Sequence, residues 1–85
     1  MSLQDTINNM HRIKQDSQEL QRRMISSASI LSSQAQNIWE TTRGSQSGNS
    51  ASLRIRKASD SLIKSTQSLK MLNNEIDKYI AAAQK

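Results

Sequence analysis

The side chains that most often carry out enzyme chemistry are few and scattered in this sequence. His11 is the only histidine, cysteine is absent, and the seven acidic residues form no compact cluster. Acid–base catalysis and metal binding need such groups gathered in a concave site. His11 lies one position off the apolar pattern, which favours an exposed polar residue over a metal ligand. We therefore expect no catalytic residue, no cofactor and no metal site, and so a protein that is not an enzyme.

The only two glycines, Gly44 and Gly48, raise the question of a phosphate-binding loop. Such a loop follows a strand and ends in Lys-Ser or Lys-Thr, and neither feature is present here. Glycine and small polar residues crowd positions 43–50, and such residues interrupt helices. The segment therefore predicts a loop that divides the chain into two arms of nearly equal length.

Both arms carry apolar residues mostly three or four positions apart, which is the spacing of an amphipathic helix. In the first arm the series is Leu3, Ile7, Met10, Ile13, Leu20, Met24, Ala28, Leu31, Ala35 and Ile38, with Ser17 in its one gap. In the second arm it is Ile55, Ala58, Leu62, Thr66, Leu69, Leu72, Ile76, Ile80 and Ala83. The pattern predicts an all-α fold in which two long antiparallel helices form a hairpin.

The predicted boundaries make residues 1–85 a single domain, with one helix over about 3–42, a loop over about 43–50 and a second helix over about 51–83. Ser2 and Asp5 are candidate caps for the first helix. Ser47, Asn49 or Ser50 could cap the second, since short polar side chains accept bonds from free helical N–H groups.

A hairpin of this composition has little with which to stabilise itself. Hydrophobic residues make up 34% of the chain, phenylalanine is absent, and Trp39 and Tyr79 are the only aromatic residues. Without disulfides or a metal, a chain this small commonly relies on association. We therefore expect a homodimer, or a heterodimer with another helical protein, that forms a four-helix bundle. The predicted binding residues are Leu20, Met24, Leu31, Ile38, Trp39, Leu62, Leu69, Leu72, Ile76 and Tyr79.

Two features near the middle of the chain have alternative interpretations. Trp39 could join the two helices beneath the loop, or it could anchor a partner, since tryptophan is common at binding hot spots. The serines around Ala28 could be a solvent-facing surface, or they could let another helix approach closely.

The net charge of +5 resides mainly in the second half, where residues 45–85 carry +4. A basic nucleic-acid-associated protein using Arg54, Arg56, Lys57, Lys64 and Lys70 is therefore one alternative function. It is disfavoured because no aromatic residues alternate with these cations, as they do in single-strand binders. A structural assembly subunit is a further alternative.

The sequence shows neither an apolar segment long enough to span a bilayer nor the basic and apolar regions of a signal peptide. We expect a protein that is cytoplasmic before any export, and export, if it occurs, without a cleaved signal peptide.

A helix of about 40 residues that ends near Trp39, a Gly/Ser-rich turn and a second helix with Leu/Ile spacing together resemble the Trp-Xaa-Gly (ESAT-like) helical hairpins of type VII secretion. Here Trp39 is separated from Gly44 by four residues, so the compact Trp-Xaa-Gly turn is missing. The resemblance implies a small hairpin that pairs into four-helix bundles and is a secreted effector or a partner of one.

That family's C-terminal export signal places an acid four positions after an aromatic residue, whereas Tyr79 is followed at that spacing by Ala83. This departure favours a variant that travels with another protein. The resemblance then extends to the small helical targeting partners of Leu-Xaa-Gly (LXG) toxins, which implies binding to the helical N-terminal domain of such a toxin.

Overall fold

The structure is a computed structural model that describes residues 2–84. It contains two long helices, α1 (Leu3–Thr41) and α2 (Gln46–Ala83), packed side by side as a hairpin of 62 × 16 × 14 Å. The predicted all-α hairpin is confirmed, and residues 2–84 contain no strand.

The N-terminus of α1 is closed by a reciprocal pair of hydrogen bonds. Ser2 Oγ accepts a bond from the Asp5 amide at 3.1 Å, and the Asp5 carboxylate accepts one from the Ser2 amide at 3.3 Å. This capping box satisfies two groups that the helix leaves unpaired, and Asp5 also complements the positive end of the helix dipole. Both predicted caps of α1 are confirmed.

The second helix begins at Gln46, five residues before the predicted start, because a different serine caps it. Ser45 Oγ accepts a bond from the Gly48 amide at 3.2 Å. Ser47, Asn49 and Ser50 consequently lie inside the helix, and the prediction that one of them caps it is wrong. A cap three residues ahead of a glycine stabilises the first turn despite the poor helix propensity of the Gly/Ser sequence.

The two glycines have different structural roles in this tight connection. Gly44 adopts φ +86°, a left-handed conformation that side chains disfavour, and it reverses the chain after α1. Gly48 lies against Thr42, the C-cap of α1. A Cβ added at Gly48 would lie 1.8 Å from Thr42 Oγ1 and 2.3 Å from Thr42 Cβ. Gly48 is therefore required for the close approach of the two helix ends.

The contact between the helices follows a strict seven-residue repeat, here called the seam. In α1 the seam residues, all buried or half-buried, are Ile7, Met10, Lys14, Ser17, Gln21, Met24, Ala28, Leu31, Ala35, Ile38 and, at the cap, Thr42. In α2 they are Gly48, Ser52, Ile55, Ser59, Leu62, Thr66, Leu69, Asn73, Ile76, Ile80 and Ala83. Alternating steps of three and four give a period of 3.5, which is the spacing of a coiled coil.

The composition of the seam changes along its length. At the end of the hairpin that carries both chain termini, Ile7, Ile76 and Ile80 form a small hydrophobic core. Near the loop, small residues dominate instead, with Ala28 and Ala35 in α1 facing serines of α2. Polar side chains occupy the seam between these regions, and they are Lys14, Ser17, Gln21, Thr66 and Asn73. Few large apolar residues are therefore buried between the helices.

Candidate protein-binding surfaces

Serine side chains connect the two helices in the loop half of the seam. Ser52 Oγ donates a 2.9 Å hydrogen bond to the carbonyl oxygen of Ala35, and Ser59 Oγ donates one of 2.9 Å to that of Ala28. A hydroxyl on so short a side chain reaches the opposite backbone only where the helices lie very close. Small facing residues permit that approach, and the larger seam residues that alternate with them, such as Leu31 and Ile55, are only half-buried.

The apolar periodicity of the sequence missed these two serines and placed Ala58, which is exposed, on the stripe instead. The signal that identifies them is the exact spacing of seven that links Ser52, Ser59, Thr66 and Asn73 to Ile80. Because four of these five residues are polar, a search for hydrophobic residues does not detect the repeat. The polar residues in the middle of the seam are also only partly hydrogen bonded, since Ser17 Oγ is buried without a partner within the described chain.

The structure divides the ten predicted binding residues into two groups. Six belong to the seam, and they are Met24, Leu31, Ile38, Leu62, Leu69 and Ile76. Ile76 is only 4% exposed and packs in the hairpin's own core, while the other five are half-buried. The remaining four point away from the seam, and they are Leu20, Trp39, Leu72 and Tyr79. These four are the predicted residues most available to another protein.

The exposed apolar residues lie on opposite sides of the hairpin, as the helical geometry requires. Successive residues of a helix are 100° apart. A residue four positions after Ala35 therefore lies on one side of the seam, and a residue one position before Ala35 lies on the other side. Trp39 belongs to the first class and Leu20, which precedes Gln21, to the second. Because the helices are antiparallel, corresponding positions of α1 and α2 share a side, as the 3.0 Å bond from Arg56 to Gln36 shows.

On one side, the terminal half of the hairpin carries a surface that we call the distal patch, formed by Ile13, Leu20, Leu72 and Tyr79. Each of these side chains is 41–49% exposed. Since Ala28 lies opposite Ser59, Leu72 is level with the stretch of α1 between Ile13 and Leu20. The four residues therefore lie along the same side of the hairpin, within its terminal half.

On the opposite side, the loop half carries a second surface, the loop patch, formed by Ile25, Trp39, Leu53 and Ile63. These side chains are 41–59% exposed. Trp39 and Leu53 line an open groove of about 520 Å³ that crosses the seam at Ser52. Its other lining residues are Gln36, Asn49 and Arg56. Trp39 therefore does not close the hairpin beneath the loop but forms one wall of an accessible groove.

The charges around the two patches differ. The Arg43 guanidinium lies 4.9 Å from the centroid of the Trp39 ring, a cation–π geometry, and Arg56 lines the groove beside it. The groove end of the loop patch is thus bordered by two cations. Both signs of charge border the distal patch. Asp16 and Arg23 on α1 and Glu75 on α2 each follow a seam residue by two positions, which places them on this side.

One carboxylate of α1 has a perturbed pKa. Glu19 accepts hydrogen bonds from Arg22 and Arg23 one turn away. The bond and the charge of Arg22 favour the ionised carboxylate and hold the pKa of Glu19 below its usual value. The Glu19 side chain is 47% exposed, so it marks a local charge cluster at the surface rather than a reactive site.

The predicted nucleic-acid-binding residues do not share one surface. Arg56 and Lys70 fall on the side of the loop patch, Arg54 falls on the opposite side, and Lys57 and Lys64 fall on the outer edge of α2 by their positions in the repeat. His11 is exposed, as expected. Across residues 2–84, no group of three metal-ligating side chains comes together. Neither helix is long and apolar enough to cross a membrane.

No family model matches the sequence, and searches of curated proteins and of solved structures give no match.

Proposed function

We propose that this protein is a non-catalytic, helix-binding hairpin that pairs with a second copy of itself through the distal patch. One observation carries the proposal: the fully buried positions of the seam are mostly small or polar residues, whereas large apolar side chains such as Leu20, Leu72 and Tyr79 remain on the outside. Covering such residues is the main favourable contribution to helix association in water.

The exposed area of the hairpin is large enough to supply a dimer interface. Its accessible surface is 6297 Å², whereas a compact monomer of 9.6 kDa exposes about 5,100 Å². The excess is about 1,200 Å², and a standard interface buries about 800 Å² on each partner. Pairing through an interface of that size would therefore remove about two-thirds of the excess.

A second copy also suits the charges around the distal patch. Asp16, Arg23 and Glu75 provide both signs beside the same apolar surface. In a two-fold interface, a charged residue of one copy can lie beside an oppositely charged residue of the other copy. A border that carries both signs therefore allows attraction when the two copies pack antiparallel. Two hairpins packed in this way form a four-helix bundle over their terminal halves.

The biological setting that we propose is type VII secretion, in which the dimer is a secreted effector or an escort for a larger toxin. The support is the resemblance in length, hairpin architecture and the placement of Trp39 near the turn. The incomplete signal at Tyr79 and Ala83 favours the escort role. Co-expression with the N-terminal helical domain of an LXG toxin encoded nearby should give a complex of defined stoichiometry, and failure to co-purify with any such domain contradicts this setting.

The pairing surface is tested by the solution mass of two neighbouring variants. Leu72→Glu places a charge in the distal patch, and we expect it to convert the dimer to a monomer. Met71→Glu introduces the same charge one residue away on the outer edge of α2, where Met71 is 68% exposed, and we expect it to remain a dimer. A monomeric wild-type protein, or equal masses for the two variants, would refute pairing through this patch.

A further inference from the structure

We infer that the loop patch is a second docking surface, which takes an acidic amphipathic helix from a different protein while the distal patch holds the second copy. This inference deepens the proposed helix-binding function and rests on it. The two patches lie on opposite sides of the hairpin and in opposite halves, so occupation of one leaves the other accessible.

The groove of the loop patch has the form that accepts side chains of a helix. Its walls are Trp39 from α1 and Leu53 from α2, and its floor is Ser52, which is bonded to the opposite backbone. That bond holds the helices together, so the groove is formed before anything binds. An amphipathic helix places apolar side chains three or four positions apart into such a groove.

The charges select the kind of helix. Arg43 lies over Trp39 and Arg56 lines the groove, so a second copy seated here would bring the same two cations against them. Carboxylates that flank the apolar face of the incoming helix would meet these guanidinium groups, which form strong bidentate bonds with carboxylates. The loop patch therefore fits an acidic partner helix better than another copy of this chain.

The single tryptophan makes this inference directly measurable. Trp39 is the only tryptophan of the chain, so its fluorescence reports on the groove alone. The probe is a tryptophan-free synthetic helical peptide with leucines three and four positions apart and flanking glutamates, compared with the same peptide carrying lysines. We expect the acidic peptide to shift the emission of Trp39 to shorter wavelength with saturation, and the basic peptide to bind about tenfold more weakly.

Matched variants separate the two surfaces. Leu53→Glu should abolish the shift, and the pair Arg43→Gln and Arg56→Gln should remove most of the preference for the acidic peptide. Leu72→Glu, in the distal patch, should leave the shift intact although it abolishes pairing. A wild-type protein that does not pair would thus refute the proposed dimer without affecting the peptide result.

Three results would overturn the inference. The first is no shift with the acidic peptide, and the second is equal affinity for the acidic and basic peptides. The third is a shift of the Trp39 emission with protein concentration alone, which would mean that a second copy covers the groove.

Discussion

Replacement of Gly48 by alanine tests how closely the two helices approach at the loop. In an open helix, alanine is more favourable than glycine by about 0.8–1 kcal/mol. Here the new Cβ would lie 2.3 Å from the Cβ of Thr42, an atom fixed to the backbone, so the helix ends must separate. Overpacking of this kind costs about 1–3 kcal/mol. The steric cost exceeds the gain in propensity, and we expect a net destabilisation of about 1 kcal/mol.

The assay is urea unfolding followed by circular dichroism at the helix band. Ser47→Ala, one residue earlier in the same helical turn, is the matched control. Ser47 is exposed, and its replacement should leave stability unchanged or raise it by a few tenths of a kcal/mol. If Gly48→Ala raised the free energy of unfolding, the close contact with Thr42 would not exist and the groove beside it would not be held as described.

Two further predictions concern the polar seam and the charge cluster of α1. Ser17→Ala removes a buried hydroxyl without a hydrogen-bond partner, so it should stabilise the protein by about 1 kcal/mol in the same assay, whereas Ser33→Ala on the surface should gain only a few tenths; equal gains would contradict a desolvation cost at Ser17. An NMR titration should give Glu19 a pKa below the usual value of a glutamate, and this pKa should rise in Arg22→Gln. Because the pKa is lowered in the folded state, the small stabilisation is present at neutral pH and is lost as the pH falls through the folded value; an unchanged pKa in the variant would contradict the assignment to Arg22.

The fold followed from the sequence because its strongest signals are local. The only cluster of glycine and small polar residues marks the turn, and apolar spacing by threes and fours marks two helices. The start of α2 did not follow, because Ser45 competes with several equally suitable serines and asparagines, and its advantage depends on how Gly48 packs on Thr42. Such a contact between distant helix ends is not visible in any short stretch of sequence.

The candidate surfaces could be predicted only in part. The sequence does not show which apolar residues the seam buries and which it leaves outside. The spacing identifies Leu20 and Leu72, but the same spacing also selects Ile76, which the hairpin itself buries. Periodicity alone cannot separate the two groups, because both lie within about a quarter-turn of the seam. The division becomes clear only when serines such as Ser59 are recognised as seam residues.

The thermal stability of the wild-type protein as a function of its concentration tests the central claim most directly. If the distal patch is covered by a second copy, only the dimer is fully stabilised, and mass action makes the melting temperature rise with concentration. We predict a rise of several degrees over about a hundredfold increase in concentration, and no rise for Leu72→Glu. A melting temperature of the wild type that stays constant over that range would contradict the claim that the hairpin is completed by pairing.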